Sequence, residues 1–180
     1  ASVKMDGIAI VWGKDPATET FFVGTKAVFN KKKIRIAHSH NEIDQFYEGE
    51  VADILHSCFN FLPRTDSILQ GDFIGWGNGR IFTANTITYA FSELVTQKII
   101  IAPHTEYFAE NDLRDAVAFP LKEHFTDNQK VKWVQPCVDW MPSAGEPAID
   151  TSKIKFLDER TAQCCKKIIN AFIRESKELT

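Results

Sequence analysis

The sequence predicts an α+β fold with an antiparallel β-sheet core packed by helices. Three observations predict it. Short β-favouring apolar runs are separated by turn residues; longer segments carry apolar residues at three- and four-residue steps; and the order is strands, helix, strands, helix, strand, helix. That order lacks the regular alternation of a parallel βαβ sheet. The 180 residues suit one domain over 1–180, whole or as a fragment of a longer chain, and can bury a substantial core.

Val3 to Val11 is an apolar run interrupted by Asp6-Gly7, and Lys14-Asp15-Pro16 reads as a turn before a second strand, Thr20 to Phe29. Asn41 is placed to cap a helix reaching Phe61, in which Ile43, Phe46, Tyr47, Val51, Ile54, Leu55, Cys58 and Phe59 share one face. Gly49 weakens its middle and Pro63 ends it. Strand-like pieces follow at Ser67 to Ile74, Arg80 to Thr83, Thr86 to Phe91 and Gln97 to Ala102. Gly75-Trp76-Gly77-Asn78-Gly79 reads as a hairpin turn and Pro103 as a strand end. Asn111 to His124 predicts a helix disturbed by Pro120, Val131 to Met141 a strand, and Phe156 to Leu179 a closing amphipathic helix.

Composition excludes several classes. The formal net charge is -3, and the main basic run, Lys31-Lys32-Lys33 with Arg35, reads as a solvated turn, so non-specific nucleic-acid coating finds no support. Cys58, Cys137, Cys164 and Cys165 lack CxxC spacing, which predicts neither a zinc site nor a disulfide framework. No apolar run approaches a membrane span and no leader is visible, so the expectation is a protein without a membrane partner. His38-Ser39-His40 reads as the turn leading into a helix, and His104 as a structural histidine or a phosphate contact.

Lys4-Met5-Asp6-Gly7, followed by the strand Ile8 to Val11, resembles the Lys-x-Asp-Gly signature of the covalent nucleotidyltransferases, the superfamily of RNA and DNA ligases and capping enzymes. Phe22-Val23-Gly24-Thr25-Lys26 resembles the second motif of that superfamily, and Leu69 to Ile74 the third. Thr86 to Phe91 resembles the aromatic strand that follows, with Tyr89 and Phe91 as candidates to stack on a base. The resemblance implies a ligase-like nucleotidyltransferase domain in which Lys4 forms a lysyl-nucleotide. Asp6, Gly7, Thr25, Lys26, Asp72, Tyr89 and Phe91 would bind the nucleotide, ATP or GTP, and Asp72 would also hold Mg2+. A neutral amine is what such chemistry needs, and desolvation or nearby cations supply it.

The fourth motif departs from the superfamily. Ile99 to Tyr107 lacks its acid-glycine pair, and Asp115 to Phe119 lies in a helical-looking stretch. Lys130-Val131-Lys132 and Lys153-Ile154-Lys155 both fit the fifth. Lys4 to Val11, Phe22 to Lys31 and Leu69 to Phe73 are also similar to uncharacterised tailed-bacteriophage proteins, implying a place in the cytoplasm of an infected host or in a virion. Two functions are therefore expected. One is an RNA-ligase-like enzyme acting on RNA or DNA ends. The other is a catalytically degenerate phage structural or accessory component that binds other phage proteins.

Overall fold

A computed structural model describes residues 5–135 and position 170. Lys4, Cys137, Cys164, Cys165, Lys153-Ile154-Lys155, the closing helix over 156–179 (save position 170) and the strand beyond residue 135 lie outside the described residues. The described part is mixed α+β. Strands β1 (Ile8–Asp15), β2 (Thr20–Gly24), β3 (Ile68–Trp76), β6 (Ile99–Phe108) and β7 (Val117–Pro120) form one sheet in the order β2-β1-β3-β6-β7, antiparallel throughout. β8 (Val131–Trp133) adds the one parallel pairing, along Ile99 to Ile101 of β6. β4 (Gly79–Thr83) and β5 (Thr88–Val95) make a separate two-stranded ribbon.

Period-two alternation gives the sheet two buried faces. Ile10, Trp12, Leu69, Phe73, Ile99 and Ile101 turn to helices α1 (His40–Phe46) and α2 (Gly49–Phe61), meeting Ile43, Ile54, Leu55 and Cys58. Burial pushes the Cys58 thiol far up, so it behaves as a small apolar core group. The opposite face carries two smaller clusters. Val11, Phe22, Val28, Ile68 and Leu113 form one; Ile74, Val95, Ile100 and Ala102, with Phe82 and Phe91 of the ribbon, form the other. Gln70 and Asp72, both buried, alternate between Ile68 and Ile74 on this second face.

Several expected elements are corrected. The single helix over 41–61 is two, because Tyr47 is extended and Gly49 takes φ +62°. The Tyr47 hydroxyl leaves the helix to donate to the Arg35 carbonyl at 3.1 Å. Ser39, not Asn41, caps α1, its Oγ accepting the Glu42 N–H at 3.2 Å. The second strand stops at Gly24, because a 3-10 turn at Lys26–Phe29 folds back so closely that a Cβ on Gly24 would meet Val28 Cγ1 at 2.4 Å. The helix expected over 111–124 is a 3-10 turn, Leu113–Asp115, followed by β7: the outer half of β6 offers free backbone and local propensity yields to it. Pro120 is tolerated because β7 is an edge. Pro103 does not end its strand, since β6 runs on to Phe108 past a register shift opposite Gln70 and Gly71. The glycine run at 75–79 is not a hairpin turn but a crossing between sheets, for β4 pairs with β5 and Gly77 donates to the Lys98 carbonyl.

The hairpin β1–β2 is pinned to α1 by a charged relay. Asp15, whose side chain is 3% exposed, accepts from Ala17 N–H at 3.0 Å and faces His38 Nε2 at 2.8 Å. His38 Nδ1 lies 3.0 Å from Glu42 Oε2, which also accepts the His38 backbone N–H at 2.7 Å. That backbone bond first, then the His38 side chain, lowers the Glu42 carboxyl below its ordinary 4.5. A carboxylate depressed in the folded state stabilises above its unfolded value, and the gain is lost as pH falls through the folded one. Glu42→Gln should therefore lower the urea midpoint at pH 7 and flatten its decline below about pH 4.5, in midpoints measured from pH 7 to pH 3.

Candidate functional site

The start of β1 lies hard against β3. A Cβ on Gly7 would stand 2.5 Å from the Phe73 carbonyl and 3.0 Å from Asp72 Cβ, so only glycine lets the two backbones approach this closely. Ala9 pairs with Asp72 and Ile8 with Phe73. Asp6 then reaches across to the β4–β5 ribbon. Its backbone N–H donates to Tyr89 Oη at 2.7 Å, and that hydroxyl donates back to the Asp6 carbonyl, also at 2.7 Å. The Asp6 carboxylate accepts from Asn85 Nδ2 at 3.3 Å, from Thr86 N–H at 3.1 Å and from the Thr86 hydroxyl. Asp6 is thus a latch between the chain start and the ribbon's loop.

Asp72 is 9% exposed and sits at the middle of the second sheet face. The register shift in β6 presents His104 there, its Nε2 3.8 Å from Asp72 Oδ2 and its Nδ1 2.6 Å from Thr105 Oγ1. Burial, helped by the nearby charges of Asp72 and Asp6, holds the Tyr89 phenol above its ordinary value. Asp6, Gly7, Asp72, Tyr89 and His104 therefore converge from β1, β3, β5 and β6.

The whole chain, residues 1–180, matches a family of unknown function (DUF6267). This chain belongs to DUF6267. No curated protein and no solved structure matches it.

Other expected site residues of this DUF6267 member go elsewhere. Thr25 Oγ1 accepts the Ala27 N–H at 3.2 Å, capping the 3-10 turn, and its own N–H donates to Tyr47 Oη at 3.3 Å. Lys26 is exposed on that turn, and no hydrogen bond or ion pair joins it to Asp72. Phe91 packs edge-on against Phe82, with ring centres 5.8 Å apart, and serves the ribbon's core. Of the fifth-motif candidates, Lys132 pairs with Asp127 at 2.6 Å. Asp115 ends the 3-10 turn before β7, and Ile99 to Tyr107 supplies His104 where an acid would be needed. Among the described residues no group of three or more His, Cys, Asp or Glu gathers to hold a metal, and no helix is long and apolar enough to cross a membrane.

Sequence reasoning missed the neighbour of Asp72 on the same face. Buried Gln70 accepts from the Tyr107 hydroxyl at 2.6 Å, and burial pushes that phenol's pKa up. The signal was available: a glutamine alternating in phase with Ile68 and Ile74 on an apolar strand needs a partner. It also missed Asn85 and Thr86 as the acceptor's donors, because a contact spanning about eighty positions leaves no local spacing to read.

Removing the Tyr89 hydroxyl takes one hydrogen bond from each backbone group of Asp6. Tyr89→Phe should cost about 1–3 kcal/mol in urea unfolding. Amide exchange should accelerate first at Asp6 and Thr86, while the amides of β3 keep their protection.

Proposed function

We propose that this chain binds a nucleoside triphosphate on the second sheet face and transfers its nucleotidyl group through Lys4, in a domain resembling that of the ligases. The observation that carries the reading is the meeting of Asp6-Gly7, Asp72 and Tyr89 at one place on the sheet, residues of three separate motifs with Asp72 and Tyr89 lying 65 to 83 positions beyond Asp6-Gly7. In the reaction, the neutral Lys4 amine attacks the α-phosphate. A P–N bond forms, the bond to the β-phosphate's bridging oxygen breaks, pyrophosphate leaves and the amine gives up a proton.

Asp72 is the group suited to a divalent cation. Asp6 is committed to Asn85 and Thr86, so among the described residues Asp72 is the carboxylate at this place, which suits Mg2+ because that ion takes one or two carboxylates and fills its sphere with phosphate oxygens and water. Bound there, Mg2+ would offset charge on the phosphates. His104 beside Asp72 is placed to meet a phosphate oxygen, and Tyr89 supplies the aromatic ring nearest the latch. Thr25 and Lys26 have no part in this reading, and RNA or DNA ends remain the acceptors the resemblance implies.

A second reading rests on a different surface. Phe108, Val117 and Phe119 stand 68%, 56% and 54% exposed along β6 and the edge strand β7. A virion or accessory component that binds another phage protein would use such an apolar edge.

The test is incubation with ATP or GTP labelled on the α-phosphate, with Mg2+ or Mn2+, followed by denaturing electrophoresis. An acid-labile adduct is expected on the wild type, absent in Lys4→Ala and reduced about 100-fold or more in Asp72→Asn. A folded chain that forms no adduct with any nucleotide overturns the enzyme. Co-sedimentation with phage proteins then decides the alternative, which requires wild-type binding that Phe119→Asp abolishes.

A further inference from the structure

Away from the sheet face, the two helices carry a second cluster of titratable side chains. His40 opens α1 and Asp44 lies one turn on; His56 lies in α2 and Asn60 one turn on. The bracing is crossed. His56 Nε2 meets Asp44 Oδ1 of α1 at 2.6 Å, and His40 Nε2 meets Asn60 Oδ1 of α2 at 3.0 Å. The two remaining nitrogens, Nδ1 of His40 and Nδ1 of His56, face each other at 2.7 Å.

The rings are not stacked face to face. Their centres are 4.9 Å apart and their planes differ by 22°, while the nitrogens are 2.7 Å apart. The remaining 2.2 Å is about the two ring radii together, so both nitrogens lie close to the line of centres. Nitrogen lone pairs lie in the ring plane, so the two are aimed at a common point. A carboxylate only accepts, so Asp44 fixes the hydrogen of His56 on Nε2 and leaves its Nδ1 bare. One hydrogen between the two Nδ1 atoms bridges them at 2.7 Å.

We propose that His40 and His56 form a surface site for a borderline divalent transition metal such as Zn2+, bound through the two Nδ1 atoms. The metal takes the place of the bridging proton, which is released to water. Nitrogen ligands of tetrahedral zinc stand about 2.0–2.1 Å from the ion, which sets them about 3.3 Å apart. The two rings thus part by roughly 0.6 Å from 2.7 Å, and each pivots by roughly 35° to turn its lone pair from the line of centres onto the tetrahedral ion, a movement open to side chains at the surface. Water completes the coordination. Asp44 and Asn60 supply the outer brace that ligand histidines commonly have, holding each ring's far nitrogen and so its near one.

The full chain would be titrated with Zn2+ by calorimetry, and with Co2+ by absorption, beside His40→Gln, His56→Gln and Asp44→Asn. All three substitutions lie on the surface of the helices, and circular dichroism confirms that each variant is folded. One equivalent of metal is expected, lost in either histidine variant and weakened about 10–100-fold in Asp44→Asn. Nitrogen-resolved NMR of the imidazoles should show His40 and His56 shifting together. Metal binding that survives in His56→Gln, or a thiolate-to-cobalt absorption band, would place the ion elsewhere and overturn the proposal. So would no binding to the folded wild type.

Discussion

Strand β3 is hydrogen-bonded along both edges, to β1 and to β6, and from Ile68 to Ile74 every residue is buried. A strand in that position has no solvated side on which to place a polar group cheaply. Close approach forces glycine both on it and beside it: a Cβ on its own Gly71 would meet the Ala102 carbonyl at 2.6 Å, and one on Gly7 the Phe73 carbonyl at 2.5 Å. Gln70 and Asp72 persist there against a desolvation cost, Gln70 because Tyr107 bonds it and Asp72 beside His104. The rest of the second face is arranged around these two residues, with an apolar cluster on either side.

The ribbon β4–β5 depends on that arrangement too. It shares no ladder with the main sheet, and its attachment combines the apolar contacts of Phe82 and Phe91 with the Asp6 latch. A single tyrosine hydroxyl satisfies both the donor and the acceptor of one backbone residue. Two sheets are thereby held at one point, and that point borders Asp72.

Much of this was legible because it is local. The strands at 68–76 and 79–83 follow from alternating apolar residues between glycines, and the helical segment over 41–61 from three- and four-residue spacing. The motif order named Asp6, Gly7, Asp72 and Tyr89, which the fold brings close to one another, though spacing could not say that Asp6 would serve the loop at Asn85 and Thr86. The misreadings share a cause. The residues from Asn111 to His124 have helical propensity but meet the unpaired outer half of β6, and Thr25 looks like a phosphate ligand but is consumed in capping a turn. Propensity and motif describe a residue's options; the partner that reaches it across the fold selects one. The Asp15–His38–Glu42 relay and the crossed histidines join residues up to 23 positions apart, across separate elements that no local period connects.

At Gly49 the break between α1 and α2 rests on handedness. Gly49 has φ +62°, and a Cβ built there would meet nothing within 4 Å. Space is therefore no obstacle to a side chain; the L configuration is. A D-alanine introduced by chemical ligation would adopt the native dihedral without strain and narrow the unfolded chain's freedom, gaining stability on the order of 1 kcal/mol. Ribosomal synthesis offers no equivalent, so the corner between the two helices carries an entropy cost that mutation with the standard amino acids does not remove.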